Sequence, residues 1–99
     1  MATRYMMGLI LKDKKDDVLK VAEALANETR LEILMTLKKH REINHQELAK
    51  LIGKTPATVS SHMKYLKRAG ILEDVKLKGL RGRIKKVPRF LVDEITIIL

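Results

Sequence analysis

The sequence predicts an α+β fold that is mainly α-helical and carries one small β-hairpin. Residues 44–70 contain the start, stop and restart signals of two short helices joined by a tight turn. After Gly70 the apolar residues change from a helical period to alternation, which is typical of strands. A chain of 99 residues has room for one modest core, so we expect residues 1–99 to form a single domain.

The first elements are predicted from an apolar run and a charged helix start. Residues 5–11, YMMGLIL, are apolar at every position but Gly8, which favours a strand buried on both faces, or an anchor to a partner, over a buried helix. Residues 13–26 begin with acids, which stabilise the first turn of a helix. The predicted inner stripe of this helix is Val18, Val21, Ala22 and Leu25.

Asn27 is predicted to cap a second helix, ETRLEILMTLKK. Cations near its C-terminal end suit the negative end of the helix dipole. Its residues are expected to alternate between core and surface at Leu31, Leu34, Met35 and Leu37 or Lys38.

The next two helices carry the clearest signals. Asn44 with Glu47 predicts a capping box, and Gly53 predicts the left-handed residue that ends this helix. Thr55 and Pro56 predict the N-cap and first position of the next helix. The predicted inner stripes are Leu48, Ala49, Leu51 and Ile52 in the first helix and Val59, Met63 and Leu66 in the second. Two helices joined by so short a turn form a helix-turn-helix.

The outer face of the second of these helices carries the first candidate binding residues. Steps of about 100° per residue place opposite the buried stripe Ala57, Ser61, Lys64 and Arg68, with Thr58 and Tyr65 beside them. Small polar groups lie at the start of this face and cations at its end. The major groove of DNA accepts one α-helix and is contacted by residues near its N-terminus, so this face favours double-stranded DNA as the partner.

Residues 71–88 are predicted to form a basic β-hairpin with a glycine-containing turn. Ile84 and Val87 fall on opposite faces of a regular strand, so we expect a β-bulge near residues 85–86. Pro88 has no N–H to donate and is expected to end the pairing.

The chain ends with β-branched residues, and we predict a strand over residues 94–99. Pairing of this strand with the N-terminal strand of the same or another subunit would cover two strand edges that otherwise promote aggregation.

The net charge of +9 is confined to one part of the chain. Residues 54–89 hold eleven Lys and Arg residues and two acids, which accounts for the whole excess. A charge that served solubility would be spread along the chain, so this distribution indicates a polyanion as the partner. The cations expected to neutralise phosphates are Lys54, Lys64, Lys67 and Arg68, with the hairpin residues Lys78, Arg81, Arg83 and Lys85.

Other function classes have little support in the sequence. The absence of Cys excludes disulfides and thiolate metal sites, and no nucleophile, base and orienting group combine, so we expect no enzyme activity and no cofactor. No metal site is predicted. The first candidate group is interpreted as exposed loop residues: His40, Glu42, His45 and Glu47. The second is interpreted as a helix start: Asp13, Asp16 and Asp17. No apolar run approaches a membrane span or a signal peptide, and we expect a cytoplasmic protein without membrane contact.

The order of helix, helix, short strand, helix-turn-helix and two-stranded hairpin is that of a winged helix. Residues 27–34, NETRLEIL, and 60–72, SSHMKYLKRAGIL, resemble a helix start and the recognition helix of the ArsR family of bacterial and archaeal transcriptional regulators. The resemblance covers about residues 22–87. It implies a winged helix-turn-helix homodimer that binds a two-fold symmetric operator in double-stranded DNA and represses transcription.

By position, the resemblance places on the recognition helix Thr55, Thr58, Ser60, Ser61, His62 and Lys64, and on the wing Lys78, Arg81 and Arg83. The family's thiolate sensor has no counterpart, because residues 47–51 contain no Cys. A strand is predicted where the family has a C-terminal helix, so the dimer interface does not carry over. The N-terminal helix and the apolar terminal segments are the candidates for it.

Three side chains keep two interpretations. His62 either contacts DNA or packs within the protein, and the same holds for Tyr65. Arg81 is expected to contact phosphate or enter the minor groove, the alternative being a solvated turn. For the whole chain, the alternative function is a winged-helix protein-interaction module of a transcription or nucleic-acid processing assembly. RNA binding is less favoured, because one Phe and two Tyr provide no stacking platform.

Overall fold

Four helices and two small sheets make up the chain over residues 8–99, the part that the structure, a computed structural model, describes. The helices are α1 (Lys15–Leu25), α2 (Glu28–Lys39), α3 (His45–Ile52) and α4 (Pro56–Arg68). The strands are β1 (Gly8–Lys12), β2 (Leu72–Lys78), β3 (Ile84–Phe90) and β4 (Glu94–Ile98), with one 3-10 turn at Leu80–Gly82. Helices α3 and α4 form the helix-turn-helix and β2–β3 the wing, which confirms the predicted winged helix-turn-helix. The prediction of a short strand between α2 and α3 is wrong, because residues 40–44 form a turn. Within residues 8–99, no helix has the length and apolarity needed to cross a bilayer.

The predicted helix signals of the helix-turn-helix are confirmed. The Asn44 side chain accepts the N–H of Glu47 at 2.8 Å, and the Glu47 carboxylate accepts the N–H of Asn44 at 3.1 Å. Gly53 ends α3 with φ 68°, a left-handed conformation that costs glycine little. Thr55 then caps α4 by accepting the N–H of Thr58 at 3.1 Å. Each signal acts over a few residues, which explains why the sequence alone predicted it.

Helix α4 ends by the same chemistry at Gly70. This residue has φ 75°, and its N–H donates to the Lys67 carbonyl at 3.0 Å. The next N–H, of Ile71, donates to the Leu66 carbonyl at 3.0 Å, which completes a Schellman motif. The turn directs the chain from the recognition helix straight into the first strand of the wing.

The four helices pack around one apolar core, and the predicted stripe of α4 is confirmed in full. The buried apolar residues of this core are Leu11, Val21, Ala24, Ile33, Leu37, Leu48, Ala49, Ile52, Val59, Met63, Leu66, Ala69, Ile71 and Leu72. The predicted stripes are wrong at Ala22 in α1 and Leu51 in α3, which are both exposed. The packing of neighbouring helices selects Ala24 instead of Ala22, and a helical period alone does not fix that choice.

The buried face of helix α2 is not purely apolar. Its buried residues are Arg30, Ile33 and Leu37. Leu31 and Met35, which the sequence left between core and surface, are exposed. A charged side chain therefore occupies one position of the core-facing stripe.

The hairpin contradicts the prediction of a bulge near residues 85–86. Strands β2 and β3 pair without interruption from Leu72 opposite Phe90 to Lys78 opposite Ile84. Ile84 is 67% exposed because it lies near the tip of the hairpin, whereas Val87 and Pro88 are buried nearer its base. An exposed apolar residue near the tip produced the apparent break in pattern.

The prediction that Pro88 ends the pairing is also wrong, because Pro88 lies inside β3 opposite Asp74. The N–H of Gly79 donates to the Arg83 carbonyl at 2.6 Å, and that of Leu91 to the Ile71 carbonyl at 2.9 Å. These two bonds place the hydrogen-bonded pairs at odd-numbered residues. The nitrogen of Pro88 therefore points away from β2, and no bond of the ladder is lost.

The terminal strands form a second, parallel sheet. Strand β1 pairs with β4 from Gly8 opposite Glu94 to Lys12 opposite Ile98, within one chain. The predicted strands are thus found, although residues 5–7 lie outside the described residues. Burial on both faces is wrong for the described part of the first strand, because Leu11 is buried whereas its neighbour Ile10 is 67% exposed. Leu9 and Ile95 pack against the core on the same face as Leu11, so the strand buries alternate residues.

Candidate nucleic-acid interface

The outer face of α4 is solvent-exposed, as the helical period predicts. Ser61, Lys64 and Arg68 follow one another along it, on a helix of 13 residues that is about 20 Å long. The other exposed candidates on and before this helix are Lys54, Thr55, Ser60 and Lys67, while Thr58 and His62 are half-buried. The N-terminal half of the face thus presents hydroxyl groups and the C-terminal half presents cations.

The start of α4 carries a pair of hydroxyl groups with assigned roles. The Thr55 hydroxyl accepts the N–H of Thr58 and donates to the Thr58 hydroxyl at 2.9 Å. The Thr58 hydroxyl accepts that bond, so its own proton is free to be donated. Both hydroxyl groups lie at the N-terminal end of α4, where contacts with base edges are made in a major groove.

The tip of the wing presents three further candidate cations. Lys78, Arg81 and Arg83 are all exposed around the 3-10 turn. Arg81 has φ 61°, a left-handed conformation that costs a residue with a Cβ about 1–2 kcal/mol. Glycine would adopt this conformation without that cost, so the turn holds an arginine at the tip against a local preference.

Two of the predicted phosphate-binding cations have acidic partners within the chain. Lys85 of β3 lies 2.8 Å from the Glu47 carboxylate of α3. The hydrogen bond from Lys85, followed by that from the Asn44 N–H, lowers the pKa of Glu47. Lys67 of α4 pairs with Asp74 of β2. Both pairs join the wing to the helix-turn-helix.

Asp74 is the centre of a larger cluster. Besides Lys67, it contacts His45 Nε2 at 3.0 Å and lies 3.6 Å from Lys86 Nζ. Burial opposes its ionisation, but the hydrogen bonds from Lys67 and His45 outweigh that effect and lower the pKa of Asp74. The interpretation of His45 as a loop residue is wrong, because it opens α3 and is half-buried against this carboxylate. The cluster ties α3, α4 and both wing strands together.

A second cluster lies behind the recognition helix. Arg30 of α2 is 7% exposed and contacts His62 Nδ1 at 3.1 Å. Its guanidinium also lies over the Tyr65 ring, 4.3 Å from the centroid. Sequence reasoning gave Arg30 no role, although a cation on the same helical stripe as Ile33 and Leu37 was a visible signal. His62 and Tyr65 therefore make packing contacts with α2, whereas the DNA contact predicted for His62 stays a prediction.

Comparisons with known proteins agree with this architecture. Residues 27–74 match the family described as bacterial regulatory protein, arsR family. This range extends from the N-cap of α2 to Asp74 of β2. The chain is also similar to an uncharacterized HTH-type transcriptional regulator of Methanocaldococcus jannaschii. The two are 40% identical over 76 residues, which are 75% of this chain and 79% of that protein. The chain therefore belongs to the arsR family of DNA-binding helix-turn-helix transcriptional regulators.

Proposed function

We propose that the protein is a sequence-specific repressor that binds a two-fold symmetric site in double-stranded DNA as a homodimer. The observation that carries this proposal is the exposed outer face of α4, with hydroxyl groups toward its N-terminus and cations toward its end. Such a face fits a major groove, where residues near the N-terminus contact base edges and the cations contact phosphates. A dimer bound over a promoter excludes other proteins from it, which would repress transcription without catalysis or a cofactor. Genomic DNA as the partner places the protein in the cytoplasm.

The dimer is supported by apolar side chains on the surface. Leu19 of α1 and Leu31 and Met35 of α2 are exposed, as are Ile10 and Ile98 of the terminal sheet. A chain this small gains from covering such groups with a second copy. The parallel pairing of β1 and β4 within one chain leaves their outer edges for that contact. Sedimentation equilibrium that finds only monomer at micromolar concentration contradicts this part of the proposal.

The dependence of DNA affinity on salt tests the electrostatic part. If the dimer neutralises about six phosphates, the logarithm of the association constant falls with the logarithm of salt concentration at a slope of about −5. Fluorescence anisotropy with a labelled duplex at several salt concentrations measures the slope. A slope near zero contradicts the proposal.

The duplex for these measurements is obtained by selecting, from a random pool of double-stranded DNA, the sequences that the full chain binds. We expect a palindrome whose half-sites are about one helical turn apart, because each half-site faces one recognition helix of the dimer. Enrichment of no sequence contradicts sequence-specific binding, and enrichment of a single, unrepeated half-site contradicts the dimer.

Arg81 and Ser61 are expected to contribute in different ways. Arg81→Ala removes a charge at the wing tip and weakens binding about tenfold for all duplexes, because phosphates and groove walls occur in every sequence. Ser61→Ala removes a group facing the major groove and changes the ranking of operator variants. Competition gel shifts with the selected site and single-base variants measure both effects.

Arg41 is the control for this comparison, because it is an exposed arginine outside residues 54–89. Arg41→Ala should leave both affinity and ranking unchanged. The assigned roles are reversed if Arg81→Ala alters the ranking of sites and Ser61→Ala weakens all of them equally.

A cleft beside the wing favours a second candidate function, docking of an acidic protein partner. It encloses about 610 Å³ between the start of α3 and the hairpin, with Leu80 and Ile84 exposed beside Arg83 and Lys86. Apolar groups bordered by cations fit an acidic amphipathic segment. A duplex shift that requires a second protein would favour this function, whereas a shift by the chain alone favours the repressor.

A further inference from the structure

Arg30 is a buried cation whose charge faces peptide carbonyls and an aromatic ring. Its Nε donates to the Ala24 carbonyl at 2.9 Å and its Nη2 to the Glu23 carbonyl at 2.8 Å. Both carbonyls belong to the last turn of α1, where carbonyl groups lack helical partners and carry the negative end of the helix dipole. The Tyr65 ring lies against the guanidinium on another side. These contacts hold Arg30 in one orientation.

The remaining direction of the guanidinium fixes the protonation of His62. Arg30 Nη1 lies 3.1 Å from His62 Nδ1. A guanidinium carries only donors and stays protonated, so Nδ1 must be the acceptor and carries no proton. The imidazole is then neutral, and its one N–H is on Nε2. Burial, followed by the charges of Arg30 and Lys54, also lowers the pKa of His62, in agreement with a neutral ring.

His62 stands at the edge of the recognition face. It follows the outward-facing Ser61 by one residue and precedes the buried Met63, and it is half-buried itself. Side chains at the flank of a helix in the major groove lie beside the groove wall, which consists of sugar and phosphate. A fixed Nε2–H at this position has a phosphate oxygen as its natural acceptor.

We propose that Arg30 is a positioning residue of the recognition helix, which holds His62 as the neutral Nε2–H tautomer so that it donates one hydrogen bond to a DNA phosphate. The proposal rests on the proposed DNA binding, but its first half concerns the free protein. A neutral donor displaces no counterion, so it adds affinity without adding to the salt slope. This separates His62 from the lysines and arginines around it.

The free protein tests the tautomer directly. Long-range ¹H–¹⁵N correlation spectra of the ¹⁵N-labelled full chain report which imidazole nitrogen carries the proton, with His40 and His45 as internal references. We expect His62 with Nδ1 unprotonated and Nε2 protonated at pH 7.5, and protonation of the ring only below its ordinary pKa of 6.5. A protonated Nδ1 at pH 7.5, or titration of His62 near the ordinary value of 6.5, overturns the proposal.

Substitutions at His62 test the contact with DNA. His62→Ala should weaken binding of the dimer about ten- to a hundredfold with an unchanged salt slope, because one hydrogen bond from a neutral donor is lost in each protomer. His62→Gln, which keeps an N–H donor at a similar reach, should recover most of this loss. Lys64→Gln is the control, since losing one phosphate-binding charge in each protomer should make the slope about two units shallower. His62→Ala that binds like the wild type overturns the inference and leaves the proposed function intact.

A substitution of Arg30 distinguishes positioning from simple support of the fold. In Arg30→Met, His62 loses its donor, and we expect a mixture of tautomers and a pKa closer to the ordinary value of 6.5. Arg30 and Lys54 are the charged groups that act on His62. The affinity ratio of the wild type to His62→Gln should therefore vary less with pH than the ratio of Arg30→Met to Arg30→Met/His62→Gln. If Arg30 has a purely structural role, Arg30→Met lowers the melting temperature but leaves the His62 tautomer unchanged, and this result contradicts positioning.

If Arg30→Met does not fold, the wild-type spectra and the His62 variants still test the proposal. Failure of the wild type to bind any duplex rejects the proposed function separately.

Discussion

Replacement of Leu66 by alanine is expected to lower the free energy of unfolding by about 2–5 kcal/mol. Leu66 is fully buried in the core, and it belongs to the α4 stripe that contacts the other helices. Truncation removes apolar contacts and leaves a cavity that the helices fill only in part. Urea denaturation followed by circular dichroism measures the change.

Leu80→Ala provides the matched control, because this leucine is 91% exposed at the wing turn. The same chemical change there should alter the free energy of unfolding by less than about 0.5 kcal/mol. Small domains have about 5–15 kcal/mol of stability in total, so the Leu66 variant should have a much lower urea midpoint, whereas the Leu80 variant should unfold with the wild type. Similar midpoints for the two variants contradict the assignment of the α4 stripe to the core.

The helix-turn-helix could be predicted almost residue by residue, because its boundaries depend on local chemistry. Asn44, Gly53 and Gly70 each act through bonds to backbone groups no more than five residues away. The buried stripe of α4 was equally accessible, since a 13-residue helix shows its period clearly. The exposed face opposite that stripe, and with it most of the candidate site, followed from the same argument.

The errors arose where partners are distant in the chain or where packing selects among similar residues. Ala24 and Ala22 are chemically identical, so only the position of neighbouring helices decides which is buried. Pro88 is compatible with a strand at every second position, and its register depends on residues near 74. The sequence pattern alone does not determine which of the two alanines is buried or which position of the strand register Pro88 occupies.

The two polar clusters escaped prediction for a related reason. Arg30 contacts His62, which is 32 residues later, and His45 contacts Asp74, which is 29 residues later. Charged residues are usually solvated, so a sequence gives no pairing for them. The structure nevertheless shows that some cations of residues 54–89 hold the wing in place, which leaves fewer of them free for phosphates than the net charge implies.

The Asp74 cluster leads to the second large effect. Asp74→Asn should lower the free energy of unfolding at pH 7 by about 1–3 kcal/mol, because the amide lacks the negative charge that strengthens the hydrogen bonds from Lys67 and His45. Glu73→Gln is the control, since Glu73 is the neighbouring acid of β2 and its side chain is exposed, and it should change stability by less than about 0.5 kcal/mol. Urea denaturation at pH 7 compares the three proteins.

The pH dependence of this difference tests its electrostatic origin. The pKa of Asp74 is lower in the folded chain than its ordinary value of 3.8, so the unfolded chain takes up the proton first as the pH falls. The stabilisation is therefore complete above about pH 5 and decreases as the pH falls through 3.8 toward the folded pKa. Asp74→Asn has no proton to bind at this position, so its stability should converge with that of the wild type in this acidic range. A gap of constant size from pH 7 to pH 3 would assign the loss to shape or solvation, and the wing would then be held by its strand pairing and by the Lys85–Glu47 pair.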